Sequence, residues 1–123
     1  HVMVVHSADG LDELSIADKT FIAELKGGVV TTYSIHPKEL GFGLGNLNDI
    51  KADDAEGSLS LIKEAFSGQN GTAKDIISLN AGAAIYVSGL TTSLQSGVDR
   101  ANQALSNGSA QHKLDEYVKA SNG

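Results

Sequence analysis

Val2-Met3-Val4-Val5-His6-Ser7-Ala8-Asp9-Gly10-Leu11-Asp12-Glu13-Leu14-Ser15 is the stretch on which the reading of this chain turns. Its first four residues form an unbroken apolar run, which predicts a central strand covered on both faces. The residues after it form a glycine-bearing loop that holds Asp9, Asp12 and Glu13 close together. No other segment gathers as much chemistry in as few residues.

Outward from this loop the pattern is first that of strands. Leu14-Ser15-Ile16-Ala17 alternates briefly, and Asp18-Lys19 reads as a turn. Phe21 to Leu25 is a second strand, and Lys26-Gly27-Gly28 a hairpin connector. Val29 to Ile35 alternates as a third, with Val29, Thr31, Tyr33 and Ile35 on one face. Pro37 ends it, because proline donates no ladder bond and holds the preceding residue extended. Residues 38–52 read as irregular.

Beyond them the period becomes helical. Asp53-Asp54-Ala55-Glu56 has a capping-box pattern, followed by Leu59, Ile62 and Phe66 at helical spacing and Gly68 as a stop. Thr72-Ala73-Lys74-Asp75 reads as the cap of a second helix running to Val87. That helix is apolar nearly all round and so is expected to be buried. Ala81-Gly82-Ala83-Ala84 in its middle predicts the close approach of another backbone, because glycine there costs about 1 kcal/mol relative to alanine. A third helix carries Leu94, Val98, Ala101 and Leu105 on one stripe, and a fourth starts near Ser109. Strands first and helices after predict a small α/β unit with helices packed over one sheet.

The 123 residues suffice for one domain with a modest core, and 41% apolar with 20% charged residues is a folding composition. A net charge of −6 with nine scattered basic residues argues against a nucleic-acid or anionic-membrane surface. Cysteine is absent, which excludes disulfides and thiolate metal sites and fits a reducing, cytoplasmic setting. No apolar run is long enough for a membrane-spanning helix. The chain opens at His1 directly on a strand, which leads to the expectation of a missing upstream part.

Asp12 and Glu13 are adjacent carboxylates just past a strand. Mg²⁺ prefers such oxygens and commonly binds one or two carboxylates together with substrate phosphates. A solvated acidic turn fits the same residues. His6 could serve as a base, but no nucleophile pattern accompanies it. His1, His36 and His112 lack metal-type spacing. Gly41-Phe42-Gly43-Leu44-Gly45 lacks the lysine and serine or threonine of a phosphate loop. Asn80, in an apolar helix, reads as a satisfied core amide.

His6 with Asp9 to Ser15 resembles the second metal-site motif of the anthranilate phosphoribosyltransferase family. Tyr33-Ser34-Ile35-His36-Pro37-Lys38-Glu39-Leu40-Gly41 resembles that family's strand and proline turn. Asp75-Ile76-Ile77-Ser78-Leu79-Asn80-Ala81-Gly82-Ala83-Ala84-Ile85-Tyr86-Val87 resembles its buried alanine-rich helix. The motifs occur in the family's order over nearly the whole chain.

The resemblance implies a mixed sheet with flanking helices, part of a nucleoside phosphorylase/phosphoribosyltransferase catalytic domain. It also implies transfer of phosphoribosyl from phosphoribosyl pyrophosphate to anthranilate in tryptophan biosynthesis. It places Mg²⁺ on Asp12 and Glu13 and assigns no catalytic residue within the chain. The family's glycine-rich phosphate loop, its lysine-histidine-glycine-asparagine segment, its anthranilate-binding arginine and its dimer-forming helical domain all lie upstream. Residues 1–123 therefore resemble a C-terminal portion, expected to be inactive alone, whose intact enzyme would be a homodimer. Ser7 departs from the family's usual glycine. The alternative function is a non-catalytic binding or regulatory module that kept the fold.

Overall fold

The structure, a computed structural model, describes residues His1–Gly123. Strands β1 (Val2–Ser7), β2 (Thr20–Lys26) and β3 (Val29–Ile35) form one sheet in the order β1-β2-β3. Four helices follow: α1 (Ala55–Phe66), α2 (Thr72–Val87), α3 (Leu94–Ser106) and α4 (Ser109–Ser121). The expected sheet with flanking helices is present, and within this chain both strand pairings are antiparallel. Gly27 and Gly28 both take positive φ, at 58° and 81°, which a two-residue hairpin turn requires.

The sheet is covered on one face only. Ile22 is buried and Met3, Val5 and Ile35 pack on the core, which α2 and α3 complete with Leu79 and Val98. The opposite face carries Val2, Val4, Phe21, Leu25 and Val30, all exposed. This corrects the reading of β1 as a central strand covered on both faces. β1 is an edge strand with Val4 65% exposed. A run of valines reports strand propensity, and the number of covering layers is set by what packs there.

The segment after the acidic loop is a second correction. Leu14 to Ala17 forms no strand, yet Leu14 and Ile16 are 3% and 0% exposed. Each buried aliphatic side chain of this size contributes roughly 2 kcal/mol. The loop is therefore anchored in the core at its far end. Residues 38–52, irregular by sequence, contain most of two short 3₁₀ turns, Pro37–Leu40 and Leu47–Ile50.

Helix starts differ in detail. Asp54 caps α1 by accepting from the Gly57 N–H at 2.7 Å. Thr72 does not cap α2, whose N-cap is Gly71. The Thr72 hydroxyl donates instead to Asp49 at 3.2 Å, tying α2 to the second 3₁₀ turn. Ser93 caps α3 by accepting from the Ser96 N–H at 3.1 Å. No helix is long and apolar enough to cross a membrane.

Candidate metal-binding loop

β1 delivers the chain into the acidic loop, and the loop folds around one side chain. Asp9 accepts hydrogen bonds from both the Ser7 and the Ser15 hydroxyls, one at each end of the loop. The Ser7 hydroxyl also accepts from the Leu11 N–H at 2.9 Å. The Ser7 N–H in turn donates to the Leu11 carbonyl at 3.1 Å. Burial works against ionisation of Asp9, but the hydrogen bonds from Ser15, Ser7 and Leu11 together hold its carboxyl below the ordinary value. Asp9 is thus the clasp of the loop, each of its carboxylate oxygens engaged by a serine hydroxyl.

Ser7 has a structural reason to depart from glycine, being fully buried with its hydroxyl bonded to Asp9 and to the Leu11 main chain. Ser7→Gly is expected to cost about 1–3 kcal/mol, from the lost charge-assisted bond and the added freedom of glycine. Thermal unfolding checks this, and an unchanged midpoint would show that the clasp holds without Ser7.

Asp12 and Glu13 stand on the outer turn of this clasped loop, both exposed. Neither forms an ion pair with any Lys, Arg or His. Partial burial and, second, the negative charge of Asp12 push the Glu13 carboxyl up. Like-charged neighbours without a counter-charge suit a cation, and their oxygens suit a hard one. No group of three or more His, Cys, Asp or Glu converges as a complete metal cage. The residues present fit a hydrated Mg²⁺ that takes its remaining ligands from water and phosphate.

Glu13 also borders a cleft of about 480 Å³ that runs beneath the loop along α2, lined by Ile50, Ile76, Ile77, Asn80 and Ala81. Asn80 is a satisfied amide, as expected, but its partner is not legible in the sequence. It bonds both main-chain groups of Leu14, at 2.9 Å each, and the Ile76 carbonyl at 3.0 Å. The one available signal is an asparagine among Ile76, Leu79 and Ala83 at helical spacing, which demands a partner when buried.

The four histidines do not converge. His1 meets Glu24, His36 caps the first 3₁₀ turn, and His112 pairs with Glu116 on α4. His6 is exposed on β1 opposite Phe21.

The family model described as "Glycosyl transferase family, a/b domain" matches residues 1–111. The chain belongs to that family. Among its relatives, the anthranilate phosphoribosyltransferase of Ruthia magnifica subsp. Calyptogena magnifica is 59% identical over 121 residues, covering 98% of this chain and 36% of the relative. That of Vesicomyosocius okutanii subsp. Calyptogena okutanii is 54% identical over 123 residues, with 100% and 36% covered. The chain thus spans 36% of the length of these members of the family.

The crystal structure of the Thermus thermophilus anthranilate phosphoribosyltransferase superposes with a TM-score of 0.84 at 32% identity, covering 95% of this chain and 34% of that one. The Saccharomyces cerevisiae enzyme in complex with PRPP and Mg superposes with a TM-score of 0.81, with the same coverage. At 22% identity it shows a shared fold.

Proposed function

We propose that this chain forms the metal-binding wall of an anthranilate phosphoribosyltransferase active site, with Asp12 and Glu13 as the Mg²⁺ ligands. The observation that carries the reading is the exposed, cation-free Asp12–Glu13 pair on a loop clasped by Asp9. The names of the relatives and the Saccharomyces complex with PRPP and Mg support it. In the reaction, the amine of anthranilate forms a bond to the anomeric carbon, the bond to pyrophosphate breaks, and the amine gives up a proton. Bound Mg²⁺ supplies charge neutralisation for the departing pyrophosphate.

The contribution of this chain is to present two carboxylates in a fixed orientation. Asp9 closes the loop behind them, and Leu14 and Ile16 hold its far end in the core. The family resemblance puts the phosphate loop and the anthranilate-binding arginine outside residues 1–123, and the expected result for the chain alone is no transferase activity. The intact enzyme is cytoplasmic and works as a homodimer.

Calorimetric titration of phosphoribosyl pyrophosphate with Mg²⁺ tests the assignment. Weak, Mg²⁺-dependent binding is expected, reduced at least about tenfold by Asp12→Asn with Glu13→Gln. Tight binding that needs no Mg²⁺ and survives the double substitution would overturn it.

A further inference from the structure

Glu13 is an exposed side chain on a loop, yet both polar groups of the main chain at the next residue are held by one side chain. Leu14, which follows it, has its N–H bound by Asn80 Oδ1 and its carbonyl by Asn80 Nδ2, both at 2.9 Å. An asparagine amide so placed satisfies a donor and an acceptor of one residue at once, as a neighbouring strand would. The two residues are 66 positions apart. Ser15, next in line, donates its N–H to the Thr20 hydroxyl at 3.1 Å, while its own hydroxyl donates to Asp9.

Leucine offers no polar side chain, so Asn80 recognises the backbone at this position. An amide within an otherwise apolar stretch of α2 is unfavourable unless its partners are buried and in need of it. Leu14 is 3% exposed, so without Asn80 its N–H and carbonyl would lack partners. Asn80 itself receives a third anchor from its own helix, donating to the Ile76 carbonyl at 3.0 Å. The chain of contacts thus runs from the rigid interior of α2, through one side-chain amide, to the peptide unit that joins Glu13 and Leu14. Asn80 and Glu13 also border the same cleft.

We infer that Asn80 is a positioning residue that aims the Glu13 carboxylate by locking the Leu14 main chain to α2. The inference rests on Glu13 being a metal ligand, and its test separates the two claims. In the ¹⁵N-labelled chain, backbone order is read from relaxation without metal. Line broadening at Asp12 and Glu13 is then read with trace Mn²⁺ as a paramagnetic stand-in for Mg²⁺.

Asn80→Ala is expected to lower the order of Glu13 and Leu14 and to weaken Mn²⁺ broadening at Glu13 about tenfold. Ser78→Ala is the control. It removes a buried hydroxyl of the same helix that donates to Asn102 at 2.8 Å, away from the loop. It lowers stability while leaving order and broadening at Glu13 as in the unaltered chain. A change at Glu13 of the same size in both variants, or none in Asn80→Ala, would overturn the inference. Should Asn80→Ala not fold, Asn80→Asp keeps the acceptor for the Leu14 N–H but loses the donor to its carbonyl, and the same readouts apply. Loss of Glu13 order in Asn80→Ala, with no Mn²⁺ broadening in the unaltered chain, would support the positioning and overturn the metal assignment.

Discussion

Gly97→Ala is expected to destabilise the chain by about 3 kcal/mol, although alanine is the better helix former by about 1 kcal/mol. The reason lies in how α2 and α3 cross. A Cβ at Gly97 would sit 2.2 Å from the Gly82 carbonyl oxygen and 3.0 Å from its carbonyl carbon. A Cβ at Gly82 would sit 2.6 Å from both the nitrogen and the Cα of Val98. These obstacles are backbone atoms, so no side chain can swing aside to make room. The helices must separate, which loosens Val98 and Leu79, 0% and 2% exposed. Thermal unfolding should show a fall of about 10 °C for a domain of this size. An unchanged midpoint would mean that the two helices do not cross backbone to backbone.

Glu24→Ala is expected to cost about 3–5 kcal/mol, the range for breaking a buried, hydrogen-bonded charge cluster from one side. Glu24 lies on the covered face of β2 at 7% exposure. Its carboxylate accepts from Tyr86 on α2, Tyr33 on β3 and His1, each at 2.7 Å. Lys26 donates to the Tyr86 hydroxyl at 3.1 Å and stands 4.6 Å above its ring. Truncation would leave the hydroxyls of two tyrosines without their acceptor, and Tyr86 is buried.

The pH dependence of this cluster follows from direction alone. Burial opposes the charge on Glu24, but the hydrogen bonds from Tyr86 and Tyr33 and the charge of Lys26 outweigh it and lower its pKa. Burial, and after it the same carboxylate, pushes the Tyr33 hydroxyl up. A carboxyl held below its unfolded value stabilises the fold above about pH 4.3, and that stability is lost as the pH falls through the folded value. Asp9, also lowered, acts in the same direction. Glu24→Gln keeps the shape without the charge. Its urea midpoint should fall less than that of Glu24→Ala at pH 7 and should decline less steeply than wild type below about pH 4.3. A wild-type slope in that variant would show that the charge of Glu24 contributes nothing to acid sensitivity.

How much of this is legible in the sequence can be judged residue by residue. The hairpin at Gly27-Gly28 and the stripe of Val98, Ala101 and Leu105 are readable because each is a pattern within a few neighbours. The glycine in α2 announces a close approach, but nothing in the sequence names the facing glycine on α3. Asp9 is followed by Gly10, a pair common in turns, and nothing near it in the sequence marks Ser15 as its partner. Its role as a clasp depends on both serines being buried. Thr72 has the look of a cap, and only the nearness of Asp49 diverts its hydroxyl.

The amino-acid sequence by itself determined the order of the three strands and four helices, the family, and the two carboxylates at the tip of the loop. These depend on local periodicity, on hydrogen bonds that span three or four residues, and on residue identities. The tertiary structure alone decided that β1 is an edge strand, that Glu24 gathers two tyrosines, and that Gly97 faces Gly82. It alone decided that Asn80 holds the backbone beside Glu13. Each joins elements that the chain brings together only after folding back, as Asn80 and Leu14 do across 66 positions. Such partners are selected by shape and by unsatisfied polar groups, and no period in the sequence encodes either.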